Sequence, residues 1–119
     1  MSINIAATSK TPQVIICNET GTMSLTGTLI PENPITFFKE ITQQAIELYE
    51  KNNKIKIEFD LTYFNTSAAK YLYDFLIFYK DKANVEIVWI YQYDDEDILE
   101  SGKEFEEFSK LNFSYKVKA

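Results

Sequence analysis

From residue 55 the chain alternates, with Ile55, Ile57, Phe59 and Leu61 on one side and Lys56, Glu58 and Asp60 on the other, the period-2 pattern of a half-buried strand. From Ala68 the period lengthens, and Ala68, Leu72, Phe75, Leu76 and Tyr79 recur as one face of a helix. Between the two lie Asn65, Thr66 and Ser67, whose short polar side chains suit a helix N-terminus. A hydroxyl is therefore presented where a strand ends and a helix begins.

The same reading extends along the chain. Residues 1–10 are small and polar and predict a loosely held lead-in with room for a short strand at 3–5. Runs 14–17 and 23–29 read as a hairpin across the turn residues Asn18, Glu19, Thr20 and Gly21. Asn33 and Pro34 predict the start of a helix that runs to about residue 51, burying Phe38, Ile41, Ala45 and Leu48 and stopping at Asn52 and Asn53. Residues 85–91 form the next strand. The acidic run Asp94, Asp95, Glu96, Asp97 opens a third helix, with Ile98, Gly102, Phe105 and Phe108 spaced for one face. Phe113, Tyr115 and Val117 alternate with Ser114, Lys116 and Lys118 as a last strand at an edge.

The expected order is ββαβαβαβ, an α/β fold. Right-handed crossovers between parallel strands stack the helices mainly on one face of a mixed sheet and leave the other face to water. The carboxyl ends of the parallel strands then share one edge, which gathers Glu32, Asn33, Asn65, Thr66, Ser67, Asp94, Asp95 and Glu96.

Composition narrows the chemistry. In 119 residues there are 12 basic side chains, all lysine, against 18 acidic ones, giving a net charge of −6. Without a basic patch or any guanidinium, nucleic acid is not an expected ligand. Histidine is absent, which removes the commonest general base and metal ligand. The single cysteine, Cys17, falls in a strand and reads as a buried structural thiol. The acidic run lacks the glycine and spacing of a calcium loop and reads as a complement to the helix dipole, so neither metal nor cofactor is expected. No apolar stretch is long enough for a membrane helix and no leader is apparent, so a cytoplasmic protein without membrane contact is expected, and the sequons at Asn18, Asn65 and Asn112 carry no meaning.

Taken locally, Thr66 reads first as a helix cap. Asp60, Leu61, Asn65, Thr66 and Ser67, leading into an apolar helix, resemble the phosphoacceptor turn of STAS and anti-sigma-factor-antagonist domains. A closer resemblance is to the SiaC family of bacterial regulatory phosphoproteins. It includes Thr11-Pro12, Pro31-Glu32-Asn33, Tyr63-Phe64-Asn65-Thr66-Ser67, Trp89 and Asp94-Asp95-Glu96-Asp97, in order over nearly the whole chain. Family members often carry a further Ser after Thr-Ser, where Ala68 stands here.

The resemblance implies a single STAS-like domain over 1–119 that is not an enzyme. It implies phosphorylation of Thr66, with Ser67 as second choice, by a dedicated protein kinase, reset by a PP2C-type phosphatase, and an unmodified form that binds an effector protein. By the closer resemblance that effector is a diguanylate cyclase, which links the protein to cyclic di-GMP and biofilm control. A small ligand-binding or enzymatic α/β domain working in the strand-edge cleft is the alternative, although no Ser/His pairing, Gly-rich phosphate loop or metal spacing supports it. A purely structural interaction domain also fits.

Overall fold

The computed structural model describes residues 2–118. Six strands, β1 (Ser2–Ile5), β2 (Gln13–Cys17), β3 (Thr22–Leu29), β4 (Ile55–Phe64), β5 (Val85–Gln92) and β6 (Phe113–Lys118), lie in one sheet in sequence order. Helices α1 (Pro34–Asn52), α2 (Thr66–Ile77) and α3 (Glu96–Ser109) connect the last four strands. Strands β1 to β3 pair antiparallel and β3 to β6 parallel. The lead-in thus supplies one strand ahead of the expected ββαβαβαβ order. It is held at its far end as well, by Ile30 N–H donating to the Lys10 carbonyl at 2.8 Å.

All three crossovers advance in the same direction across the sheet, so right-handed connections put every helix on one face. Met23, Leu25, Ile57, Phe59, Ile87 and Trp89 face the helices and are fully buried. Glu58 and Asp60 point the other way, where Lys118 Nζ lies 3.3 Å from Asp60 Oδ1 across the open face. The hairpin turns on Gly21, whose φ of 71° favours glycine. Asn33 caps α1, its Oδ1 accepting from Thr36 N–H at 3.2 Å, with Pro34 at the first helical position. Asn53 closes the helix in the left-handed conformation.

Two expectations are corrected. The inward face of α3 is Ile98, Gly102, Phe105 and Ser109, and Phe108 is 58% exposed. At about 100° per residue Ser109 falls within the stripe and Phe108 roughly 90° off it, toward α2, where its ring meets Tyr73. Cys17 is only half-buried, because Val14 and Ile16 take the inward positions of β2 and leave Gln13, Ile15 and Cys17 on the open face. Hydrogen bonds from the side chain and backbone of Thr20 hold its thiol below the usual range.

Tyr79, just past α2, is 1% exposed and packs edge-on against Tyr49, Phe75 and Phe78. Its hydroxyl has no hydrogen-bond partner among the described residues, and burial pushes its pKa well above the ordinary tyrosine value. Tyr79→Phe keeps the ring contacts and removes the orphaned donor, so it is expected to raise stability by about 1 kcal/mol in urea unfolding at unchanged m. A raised folded-state pKa gives stability that is complete below about pH 10, where tyrosine in the unfolded chain ionises, and is lost above it. The Phe variant should therefore unfold less steeply with rising alkaline pH than the parent. Part of the slope persists through Tyr115, raised by burial and by its bond to Glu106. A variant no more stable than the parent would mean that the hydroxyl is satisfied in solution.

Candidate functional site: the turn between β4 and α2

The turn is set by a register shift inside β4. Gly27 pairs with Leu61 but Thr28 pairs with Tyr63, so Thr62 is an extra residue, a bulge opposite Gly27, whose φ is 128°. The extra residue reverses the alternation. Tyr63 is 56% exposed, while Phe64 turns inward, its ring centroid 5.8 Å from Phe105 and 6.4 Å from Trp89. Phe64 anchors the turn to the core immediately before the polar residues begin.

Asn65, not Thr66, is the cap of α2. Its Oδ1 accepts from Ala68 N–H at 2.8 Å, and Thr66 is the first residue inside the helix. Being in the helix changes what Thr66 is available for. Its side chain is exposed and its hydroxyl has no hydrogen-bond partner among the described residues, so capping does not occupy it. Ser67 is exposed one position further on.

Thr66 stands at the lip of a groove of about 380 Å³ between α2 and α3. Phe64, Ala69 and Phe105 line the groove with Lys70 and Tyr73 from α2 and Glu104 from α3. Phe108 contributes an exposed ring, with Tyr73 edge-on at 6.5 Å between centroids. A second depression shares Phe64 and Ser101 with the first and adds Tyr63, Asp95 and Asp97. The acidic run and the Thr66 turn are thus brought side by side. Trp89 supports both from below, its Nε1 donating to the Ile98 carbonyl at 2.8 Å, with Phe59, Phe105 and Phe113 around it.

The expected site residues divide under this geometry. Asp95 is the N-cap of α3, its Oδ1 accepting from Ile98 N–H at 3.1 Å, with Glu96 and Asp97 in the first turn and Asp94 exposed ahead of it. The helix therefore begins two residues after Asp94. Glu32 and Asn33 lie at the start of α1 and line neither depression; the Glu32 carboxylate is hydrogen-bonded and ion-paired to Lys10, which lowers its pKa. Of the residues lining the groove, Lys70 and Glu104 were not singled out by sequence. Lys70 was legible there, four residues after Thr66 on the same helix face; Glu104 needed the packing of α2 on α3.

Tyr71, Tyr73, Phe75, Phe78 and Tyr79 are more aromatic side chains than one buried helix face needs, and most of them are absorbed by neighbouring elements. Tyr71 stacks on Phe38 of α1, and Tyr73 meets Phe108 of α3. Phe78 remains partly exposed beneath the Lys82 ammonium, 4.8 Å from its ring centroid. No helix among the described residues is long and apolar enough to cross a membrane.

Several solved structures share this architecture. One chain of the crystal structure of the diguanylate cyclase SiaD in complex with its activator SiaC from Pseudomonas aeruginosa aligns at a TM-score of 0.88 and 23% identity, over 98% of this chain and 99% of that one. SiaC of P. aeruginosa aligns at 0.82 and 22%, over 100% and 98%, and apo-SiaC of the same organism at 0.77 and 23%, over 100% and 99%. At these identities the likeness establishes the fold. Among curated protein sequences none matches. A family model described as "SiaC family regulatory phosphoprotein" matches residues 5–118. With a match that runs from β1 to the end of β6, the chain belongs to the SiaC family of regulatory phosphoproteins.

Proposed function

We propose that this chain is a non-enzymatic switch in the bacterial cytoplasm. Thr66 is phosphorylated by a dedicated Ser/Thr kinase and reset by a PP2C-type phosphatase, and the unmodified form binds and controls a diguanylate cyclase, tying it to cyclic di-GMP and biofilm formation. Membership of a regulatory phosphoprotein family supports the modification, and the P. aeruginosa relative found in complex with a cyclase supports the effector. The observation that carries the site is Thr66 itself: exposed, freed from capping by Asn65, and at the lip of a mainly apolar groove. Ser67 lines neither depression, which favours Thr66 of the two.

A phosphate on Thr66 would meet the positive end of the α2 dipole, so the modified protein keeps its backbone and changes in charge and bulk. Intact mass after coexpression with the candidate kinase tests the site. One phosphate is expected on the parent and none on Thr66→Ala, which should unfold within a few tenths of a kcal/mol of the parent, whereas Asn65→Ala, which loses the cap, should cost about 1 kcal/mol. A full phosphate on Thr66→Ala would move the acceptor elsewhere.

A further inference from the structure

Lys70 is one helical turn beyond Thr66, on the same side of α2, and both line the groove against α3. Side chains at this spacing on a helix are neighbours, with Cβ atoms about 5–6 Å apart. Lys70 has no ion pair among the described residues, unlike Lys10, Lys103 and Lys118. Among the described residues, the only charged side chains lining the groove are Lys70 from α2 and Glu104 from α3, which sum to zero over an apolar floor. In the unmodified protein the ammonium of Lys70 is thus an uncommitted cation beside exposed aromatic surface, suited to a carboxylate on an otherwise apolar partner segment.

We infer that Lys70 is the residue through which phosphorylation of Thr66 is read: it clamps the phosphate within α2 and is thereby withdrawn from the partner. This rests on Thr66 as the acceptor. The modification then removes the cation that a partner carboxylate would use and puts a dianion in its place, taking the groove from zero to about −2 at neutral pH. The clamp needs no backbone movement, because both groups already stand on one helix face.

The test uses the full chain with phosphothreonine installed at position 66 by genetic encoding, so that it does not depend on any kinase. The second ionisation of the phosphate, ordinarily near pH 6, is followed by phosphorus NMR. A neighbouring cation favours the dianion, so at low ionic strength this pKa is expected to rise by about 0.3 unit in Lys70→Gln relative to the parent, the equivalent of one exposed charge pair at this spacing. The difference should shrink toward zero in about 0.5 M NaCl. Lys103→Gln, which removes an equal charge from α3 where Lys103 is near Glu100, should leave the pKa where it is. Equal phosphate pKa values in the parent and Lys70→Gln overturn the clamp, as does an equal rise in Lys103→Gln. A kinase that never modifies Thr66 would instead count against the switch reading, with the clamp measured independently.

Discussion

Gly102→Ala is expected to destabilise the protein by about 2 kcal/mol, although alanine is the better helix former. On an exposed helix the exchange would gain about 1 kcal/mol from backbone propensity. Here a Cβ at position 102 would lie 2.5 Å from Trp89 Cδ1 and 2.6 Å from its Nε1, inside any real contact distance. Whether the ring can give way decides the sign. It is held by its bond to the Ile98 carbonyl and by Phe59, Phe64, Phe105 and Phe113, so α3 has to move off the sheet. Overpacking a close-fitted core costs roughly 1–3 kcal/mol, occasionally more; a contact this short calls for the upper end, about 3 kcal/mol, which less the propensity gain of about 1 leaves a net loss of about 2. A loss of about 2 kcal/mol corresponds to a Tm roughly 6–12 °C lower for a chain of this size. Trp89 is the only tryptophan, so its fluorescence reports the displacement directly. An alanine variant as stable as the parent, with unchanged emission, would show that α3 is not seated this closely. Since α3 forms one wall of the groove beside Thr66, the same variant should weaken effector binding more than its exposed neighbour Lys103→Ala does.

Under the proposed switch, effector affinity is expected to fall in the order unmodified protein, Thr66→Asp, phosphorylated protein. The groove beside Thr66 is lined chiefly by carbon, and a partner seated there would have to bury the phosphate against apolar surface or place a carboxylate beside it. An uncompensated charge of that kind costs roughly 2–4 kcal/mol, or about 30- to 1,000-fold in affinity. Aspartate supplies one charge on a shorter side chain and should give only part of the loss. Titration of the purified cyclase against the three forms measures the order, and tightest binding by the phosphorylated form would reverse the proposed sign. Unfolding curves for the three proteins should nearly coincide, because a negative group in the first turn of α2 agrees with the helix dipole. That coincidence would assign the affinity loss to the surface.

Most of the scaffold could be read from the chain because local periodicity and local chemistry agreed. The alternation through Leu61, the stripe Phe38, Ile41, Ala45 and Leu48, and the Asn33-Pro34 start all appear as the spacing requires. Right-handed crossovers then allowed one face for the helices and one edge for the loops. The details that define the site were less legible. Asn65, Thr66 and Ser67 are all of types that cap helices, and which of them does so depends on how the strand enters the turn. That entry is set by the bulge at Thr62, which arises from pairing with a strand more than thirty residues earlier and cannot be seen as a break in alternation at Tyr63 and Phe64, both aromatic. Phe108 was misassigned for a similar reason. Its spacing from Phe105 suits a helix stripe and its ring suits a core, but the angle it takes on the helix lies off the line through Ile98, Gly102 and Phe105, and the seating of α3 over Trp89 gives the place to Ser109.

The sequence by itself determined the elements, their order, the acidic charge and a hydroxyl at a strand-to-helix turn, since each depends on residues a few positions apart. Tertiary structure decided which side chain caps that turn, which aromatic is left outside the core, and that Thr66 shares a groove with Lys70 and Glu104. The physical reason is separation along the chain: the register of β4 against β3 and the approach of α3 to α2 join segments far apart in sequence, and only packing brings them together.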